Sequence, residues 1–185
     1  MFFSFLTYTF GHSNILKFTD NGKPIRPYAS VDEMHDALIN NWNSVVTSQQ
    51  DLVYVLGDIS INKKFMPMIG QCRGRKKLVR GNHDNNPTKE YLEFFESIYG
   101  VKVMSGMVLS HIPLHRESVV PRMGVNVHGH LHSQDIPDGA YFNVSVENIN
   151  FTPIEINDLR VKIKEKQEKY PHLNYSGTST GNGPT

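Results

Sequence analysis

The chain has 185 residues, of which 38% are hydrophobic and 20% charged, a balance that fits one soluble globular domain with a substantial core. A formal net charge of +1 gives no general electrostatic drive toward nucleic acid or an anionic membrane. One cysteine, Cys72, excludes an intrachain disulfide and favours a reducing, cytoplasmic compartment.

The apolar start, residues 1–10, lacks the basic flank of a secretion signal and is too short to span a bilayer. It reads as a buried first strand over residues 2–10, with Thr7 and Thr9 alternating against Leu6 and Tyr8. The turn Phe10-Gly11-His12-Ser13-Asn14 ends it. Asn21-Gly22, Pro24 and Pro27 make residues 19–30 a loop. Ser30 or Asp32 then caps a helix whose core face is Val31, Met34, Leu38, Trp42, Val45 and Val46, with His35 a partly exposed residue on it. Residues 51–56 form a nearly continuous apolar run, the mark of a central strand covered on both faces, and end at Gly57-Asp58. A short helical segment around residues 63–69, interrupted by Pro67, leads to the basic loop Arg73-Gly74-Arg75-Lys76-Lys77 and a strand ending at Val79.

Pro87 and Thr88 open a second helix with Tyr91, Leu92, Phe94, Phe95 and Ile98 as apolar positions, and Gly100 stops it. Residues 101–104 and 107–110 flank Ser105-Gly106 as a β-hairpin. Residues 115–124 read as a loop. Strands follow at 125–127, 141–146 and 152–156, then a charged helix over 158–170. From Pro171 the chain is polar and rich in Gly, Ser and Thr. Residues 1–170 therefore form the expected single domain and 171–185 an expected mobile tail. Interspersed strands and helices make the class α/β or mixed α+β.

Polar groups cluster just after the predicted strands: Asp58, then Asn82, His83 and Asp84, then His111, then His130 and His132. Gathered strand ends are where open α/β folds place their ligand sites, and buried strands do not hide several unpaired imidazoles. Gly81 lets the backbone turn where a side chain would collide. Asn82, His83 and Asp84 then offer an amide oxygen, an imidazole and a carboxylate from one tight loop. Such a set can ligate a metal, move a proton and orient the ring that moves it. Each residue has a plainer reading taken singly, Asp58 as a turn former and His111, His130 and His132 as surface groups. The joint arrangement favours a site, with His128 structural.

In order along the chain, Gly57-Asp58, Gly81-Asn82-His83-Asp84, Ser110-His111-Ile112-Pro113-Leu114 and Gly129-His130-Leu131-His132 resemble the motifs of the calcineurin-like metallophosphoesterases. Phe10-Gly11-His12-Ser13-Asn14-Ile15 is similar to the continuation of a first motif S-D-T-H-F-G-H-x-N-I in small members of that family. The resemblance extends over about residues 6–156 and implies a four-layer αββα sandwich of two mixed β-sheets flanked by helices. It implies a divalent ion, manganese first and iron, zinc, nickel or magnesium otherwise, held by Asp58, Asn82, His111 and His130. A second ion would share Asp58 and add His132. In this register, however, Thr7 and Thr9 stand where the family has aspartate and histidine. Threonine is a weak neutral ligand, so the second site is expected to be impaired.

In the family's chemistry two divalent ions share a hydroxide and a phosphoryl oxygen, and both neutralise charge on the phosphoryl group. The resemblance gives His83 the role of proton donor to the leaving oxygen and gives Asp84 the role of holding its ring. Arg80 and His12 are the candidate substrate contacts. The activity implied is hydrolysis of a phosphomonoester or phosphodiester, nucleotides included. The alternative is a catalytically impaired protein of this fold serving as a binding or interaction module. Loops at residues 19–30 and 115–124 are the expected specificity determinants. The patch Arg73, Arg75, Lys76 and Lys77 keeps short nucleic acids among the candidate partners, while no feature points to a membrane.

Overall fold

The computed structural model describes residues 3–7 and 9–171. In chain order the strands are β1 (Phe3–Leu6), β2 (Thr19–Asp20), β3 (Lys23–Pro24), β4 (Leu52–Val55), β5 (Arg75–Val79) and β6 (Ser97–Tyr99). They continue with β7 (Lys102–Met104), β8 (Met107–Leu109), β9 (Val125–His128), β10 (Tyr141–Asn143) and β11 (Ile154–Glu155). The α-helices are α1 (Val31–Val45), α2 (Thr88–Tyr91), α3 (Arg116–Met123) and α4 (Ile156–Lys169). The architecture is mixed α/β.

One sheet has the order β11-β1-β4-β5-β6. Its β1, β4, β5 and β6 run parallel and β11 pairs antiparallel with β1. The other has the order β10-β9-β8-β7, parallel except for the antiparallel β7–β8 hairpin. The central position of β4 explains its sequence, since all four of its residues are buried. The two sheets are joined where β1 ends: the Thr7 N–H donates to Val144 O at 3.0 Å, and Thr7 bridges to Ser145. One contiguous cluster of buried apolar side chains runs from Phe5 to Ile163 and draws on both sheets.

Helix α1 begins at Ser30, whose hydroxyl accepts the Glu33 N–H at 3.1 Å. It buries Met34, Leu38, Ile39 and Trp42, each such side chain contributing about 2 kcal/mol of burial. The Trp42 indole N–H donates to Arg73 O at 2.8 Å. His35 departs from expectation, being only 2% exposed. Phe10 and Phe65 pack on its ring, and its Nε2 accepts the Gly11 N–H at 2.9 Å, so the loop after β1 covers that helix face.

Other elements differ from the sequence reading for identifiable reasons. The first strand stops at Leu6, and Phe10 makes an isolated bridge to Ser60; Phe2 and Tyr8 lie outside the described residues. Residues 19–24 fold into the small β2–β3 ribbon around Asn21-Gly22. The second predicted helix is a single turn, α2, and Ile98 belongs to β6 beside Leu78 of β5. Residues 115–124 are mostly helical, as α3. The basic loop is largely β5: Lys76 is buried and donates to Cys72 O and Gly74 O at 2.7 and 2.9 Å. Arg75 pairs with Glu96 and Lys77 lies over the Tyr54 ring. Arg75, Lys76 and Lys77 each have a local partner, and Arg73 is exposed. Of the predicted tail, residues 172–185 lie outside the described residues. Among those described, no helix is long and apolar enough to cross a membrane.

Candidate metal centre

The parallel strands deliver their polar residues to one place. Asp58 follows β4, Asn82 to Asp84 follow β5, His111 follows β8 and His130 follows β9. Ligand-capable atoms of Asp58, His111 and His130 all lie within 4.8 Å of one another. His111 Nε2 is the hub, 3.1 Å from Asp58 Oδ2, 3.0 Å from Asn82 Oδ1 and 3.2 Å from His130 Nδ1.

The tautomer of His111 follows from its other nitrogen. Nδ1 lies 2.7 Å from Leu56 O, and a carbonyl oxygen only accepts, so Nδ1 carries a hydrogen. A neutral His111 would then turn the Nε2 lone pair toward the lone pairs of Asp58 and Asn82. That convergence is repulsive unless a proton or a cation sits among them. The electrostatics agree. Burial alone would lower the His111 pKa, but the Asp58 carboxylate outweighs it and raises the group above its usual value. Burial alone would raise the Asp58 carboxyl, yet the hydrogen bonds from His111 and from the His83 N–H hold it below the ordinary range. Burial and the neighbouring His111 lower His130.

The donor set suits a divalent transition ion: one hard carboxylate, one amide oxygen and two imidazoles. An ion with bonds of about 2.1 Å places adjacent ligand atoms about 3 Å apart at right angles, and the contacts to His111 Nε2 are 3.0–3.2 Å. Asp58 and His130 hold φ of 56° and 67°, the left-handed region that costs a side-chain-bearing residue of order 1 kcal/mol or more. The neighbouring contacts over-determine these backbones. A Cβ on Gly81 would lie 2.3 Å from Asp58 Oδ1, so only glycine lets the loop after β5 approach the loop after β4 this closely.

Asp84 acts differently from the sequence expectation. It is 1% exposed, and its carboxylate accepts the N–H groups of Asp58 at 2.9 Å, Ile59 at 2.9 Å and Gly81 at 2.8 Å. Those bonds lock the two loops together rather than holding the His83 ring. His83 itself is exposed, and its N–H donates to Asp58 Oδ1 at 2.9 Å. Arg80 is likewise turned to its own loop, donating to Asp84 O at 2.7 Å and Asn86 O at 2.6 Å while stacking on Tyr91. It orders the loop and has its best donors occupied.

His132 stands outside the three-residue group. Its Nδ1 lies 3.2 Å from Glu147 Oε1, which also accepts from Arg26 Nε at 2.8 Å. His12 caps the turn at residues 13–17, its Nδ1 accepting the Ile15 N–H at 3.1 Å, with its ring 6.3 Å from that of His132. Thr7 and Thr9 are buried, and the Thr7 hydroxyl donates to Leu56 O at 3.0 Å. A Cβ on Gly129 would come within 1.8 Å of Thr7 Oγ1, so the threonine fills the space beside the His130 loop.

Arg26 and Glu147 were the residues hidden from sequence reasoning. Arg26 is 1% exposed. Burial opposes ionisation of Glu147, but His132 and Arg26 bring its pKa down to about 2. Arg26 lies between two prolines in what reads as a loop, and Glu147 belongs to no motif. Their separation of 121 positions leaves no local signal of the pair.

Comparison with known proteins places the chain among relatives. It is 35% identical over 170 residues to "Uncharacterized protein MJ1445" of Methanocaldococcus jannaschii, an alignment covering 85% of this chain and 87% of that one. The chain belongs to the same family as that archaeal protein. Its fold is also that of the crystal structure of the protein of unknown function AQ665 from Aquifex aeolicus. That match has a TM-score of 0.62 and 22% identity, and covers 87% of this chain and 98% of the other. No protein-family model matches the chain.

Proposed function

We propose that this protein is a metal-dependent phosphoesterase of the calcineurin-like type, with the two sheets and their helices forming that family's four-layer αββα sandwich. The observation that carries the reading is the convergence of Asp58, Asn82 and His130 on His111 Nε2, an acceptor cluster that calls for a cation. Asp58, Asn82, His111 and His130 hold one divalent ion, manganese being the first candidate. When bound, it supplies positive charge at a phosphoryl oxygen and acidifies water. The chain's own residues do the rest. Asp84 and Arg80 fix the loop that presents Asn82 and His83. His83, exposed at the lip, donates a proton to the leaving oxygen as the water oxygen, its own proton released to solvent, bonds to phosphorus and the ester P–O bond breaks. Thr7 and Thr9 leave the second position without its carboxylate and imidazole, so the enzyme works with one well-formed centre. The buried thiol of Cys72 suits a reducing cytoplasm.

Calorimetric titration with Mn2+ and assays on chromogenic phosphate esters test this together. The wild type is expected to bind about one ion per chain and to turn over, and His111→Ala to lose both. His83→Ala is expected to keep the ion and lose roughly 100-fold or more in turnover. Tight Mn2+ binding with no turnover that depends on His83 would instead support the interaction-module reading, which the loss of Thr7 and Thr9 as ligands favours.

A further inference from the structure

Two clefts open from the acceptor cluster, and they share no lining residue. One, about 320 Å³, runs from His130 and His132 along Phe18, Ile25 and Leu131. The other, about 280 Å³, runs from Asn82 and His111 along Val101, Ile112 and Leu114. Each is close to the size at which small-molecule sites begin, roughly 300 Å³. Their walls are apolar in an unusual way for a surface. Phe18, Val101 and Ile112 are 47%, 46% and 48% exposed, so three of the seven large apolar side chains exposed among the described residues border this one cluster. Apolar side chains that line a cleft beside a polar centre give an organic arm contact area next to the polar group that orients it.

Charge selects the kind of phosphate between the clefts. The carboxylate of the cluster, Asp58, is backed by the buried carboxylate of Asp84, and the Arg80 guanidinium on the same loop offsets one of the two, so a divalent ion there leaves a net charge of +1. Arg26 is neutralised by Glu147, and Arg80, the cation on either cleft wall, spends its best donors on carbonyl oxygens. A phosphomonoester carries close to two negative charges at neutral pH, since its second pKa is about 6. A phosphodiester carries one. A centre of +1 flanked by two apolar clefts matches a monoanion with two organic arms.

Resting on the phosphoesterase reading above, we infer that the substrate is a phosphodiester whose two ester arms lie in these clefts, a planar aromatic arm against Phe18 and the second arm against Ile112 and Val101. Phe18 and Ile112 are specificity-determining residues, and neither was legible from the motifs. The aromatic ring gains stacking area on Phe18, as bases do on exposed aromatic side chains.

The test is equilibrium binding by calorimetry to the Mn2+-loaded protein, with diphenyl phosphate, dimethyl phosphate and phenyl phosphate as probes. Diphenyl phosphate is expected to bind at least tenfold more tightly than either of the others. Phe18→Ala is expected to weaken diphenyl phosphate at least threefold and leave dimethyl phosphate unchanged, with the Mn2+ affinity unchanged as the control for folding. Equal or tighter binding of phenyl phosphate, or a silent Phe18→Ala, overturns the diester inference while leaving the phosphoesterase reading intact. Absence of Mn2+ binding overturns both.

Discussion

Arg26 and Glu147, 121 positions apart, meet where water is excluded, with side chains 1% and 2% exposed. Two charges in such a place stabilise the fold only while both are present. Glu147→Ala would leave the Arg26 guanidinium buried without its carboxylate and His132 without its Nδ1 partner. The expected loss is about 3–5 kcal/mol of unfolding free energy. It should appear in urea titrations as a lower midpoint with little change in slope, and a loss below about 1 kcal/mol would refute the argument. Glu147→Gln keeps an acceptor and removes the charge, so it should fall between. Glu147 Oε2 is buried without a hydrogen-bond partner among the described residues, so the carboxylate holds Arg26 and His132 through one oxygen.

At the scale of elements, the centre depends on two loops that interlock. Gly81 after β5 touches Asp58 after β4, and Asp84 ties both loops through three N–H groups. Gly81→Ala would place its Cβ 2.3 Å from Asp58 Oδ1 and 2.5 Å from Asp58 N. Asp58 must move, and the expected result is a loss of at least tenfold in Mn2+ affinity, about 1.4 kcal/mol, with the far-ultraviolet circular dichroism spectrum retained. Unchanged affinity would show that the loops have slack the contacts do not reveal. This part of the molecule was legible in the sequence because strand ends and tight turns leave local marks: an apolar run, a glycine, then polar residues. Where the second helix was expected, apolar spacing misled. Tyr91 and Phe95 are buried as a helix would require, but the chain leaves the helix after one turn to run Ser97–Tyr99 beside β5. The Arg75-Lys76-Lys77 run misled through its charge. Long aliphatic stems let Lys76 lie buried while its ammonium finds carbonyl oxygens, which composition does not report. His132 and Asp84 were singled out from the sequence, but their partners come from tertiary contacts that a motif does not encode.

For the molecule as a whole, acid is expected to act in two windows. Burial first lowers the His35 pKa from its ordinary 6.5, with Arg26 acting in the same direction and Asp32 and Asp36 opposing. As pH falls below 6.5 the unfolded chain binds a proton that native His35 refuses, so stability falls with pH. Glu147, held at about 2 against an ordinary 4.5, gives stability that is complete above 4.5 and lost as pH falls toward 2. Urea midpoints measured from pH 8 to pH 3 should decline through both ranges. His35→Gln, which can still accept the Gly11 N–H, should make the upper decline shallower without abolishing it, because burial holds His128 at about 4 and it acts over the same range, and should leave the lower one. An upper decline identical to wild type in that variant would mean that another group governs it.

The Leu56 carbonyl accepts both the Thr7 hydroxyl and His111 Nδ1–H. That shared acceptor restricts what position 7 can carry. With threonine at position 7, the hydroxyl and the imidazole satisfy the carbonyl together. An aspartate there would set a carboxylate oxygen against the very carbonyl that fixes the His111 tautomer. Without an ion to receive it, such a buried unpaired acceptor costs about 1–3 kcal/mol. Thr7→Asp alone is therefore uphill, and position 7 is held to a hydroxyl by the same carbonyl that orients His111.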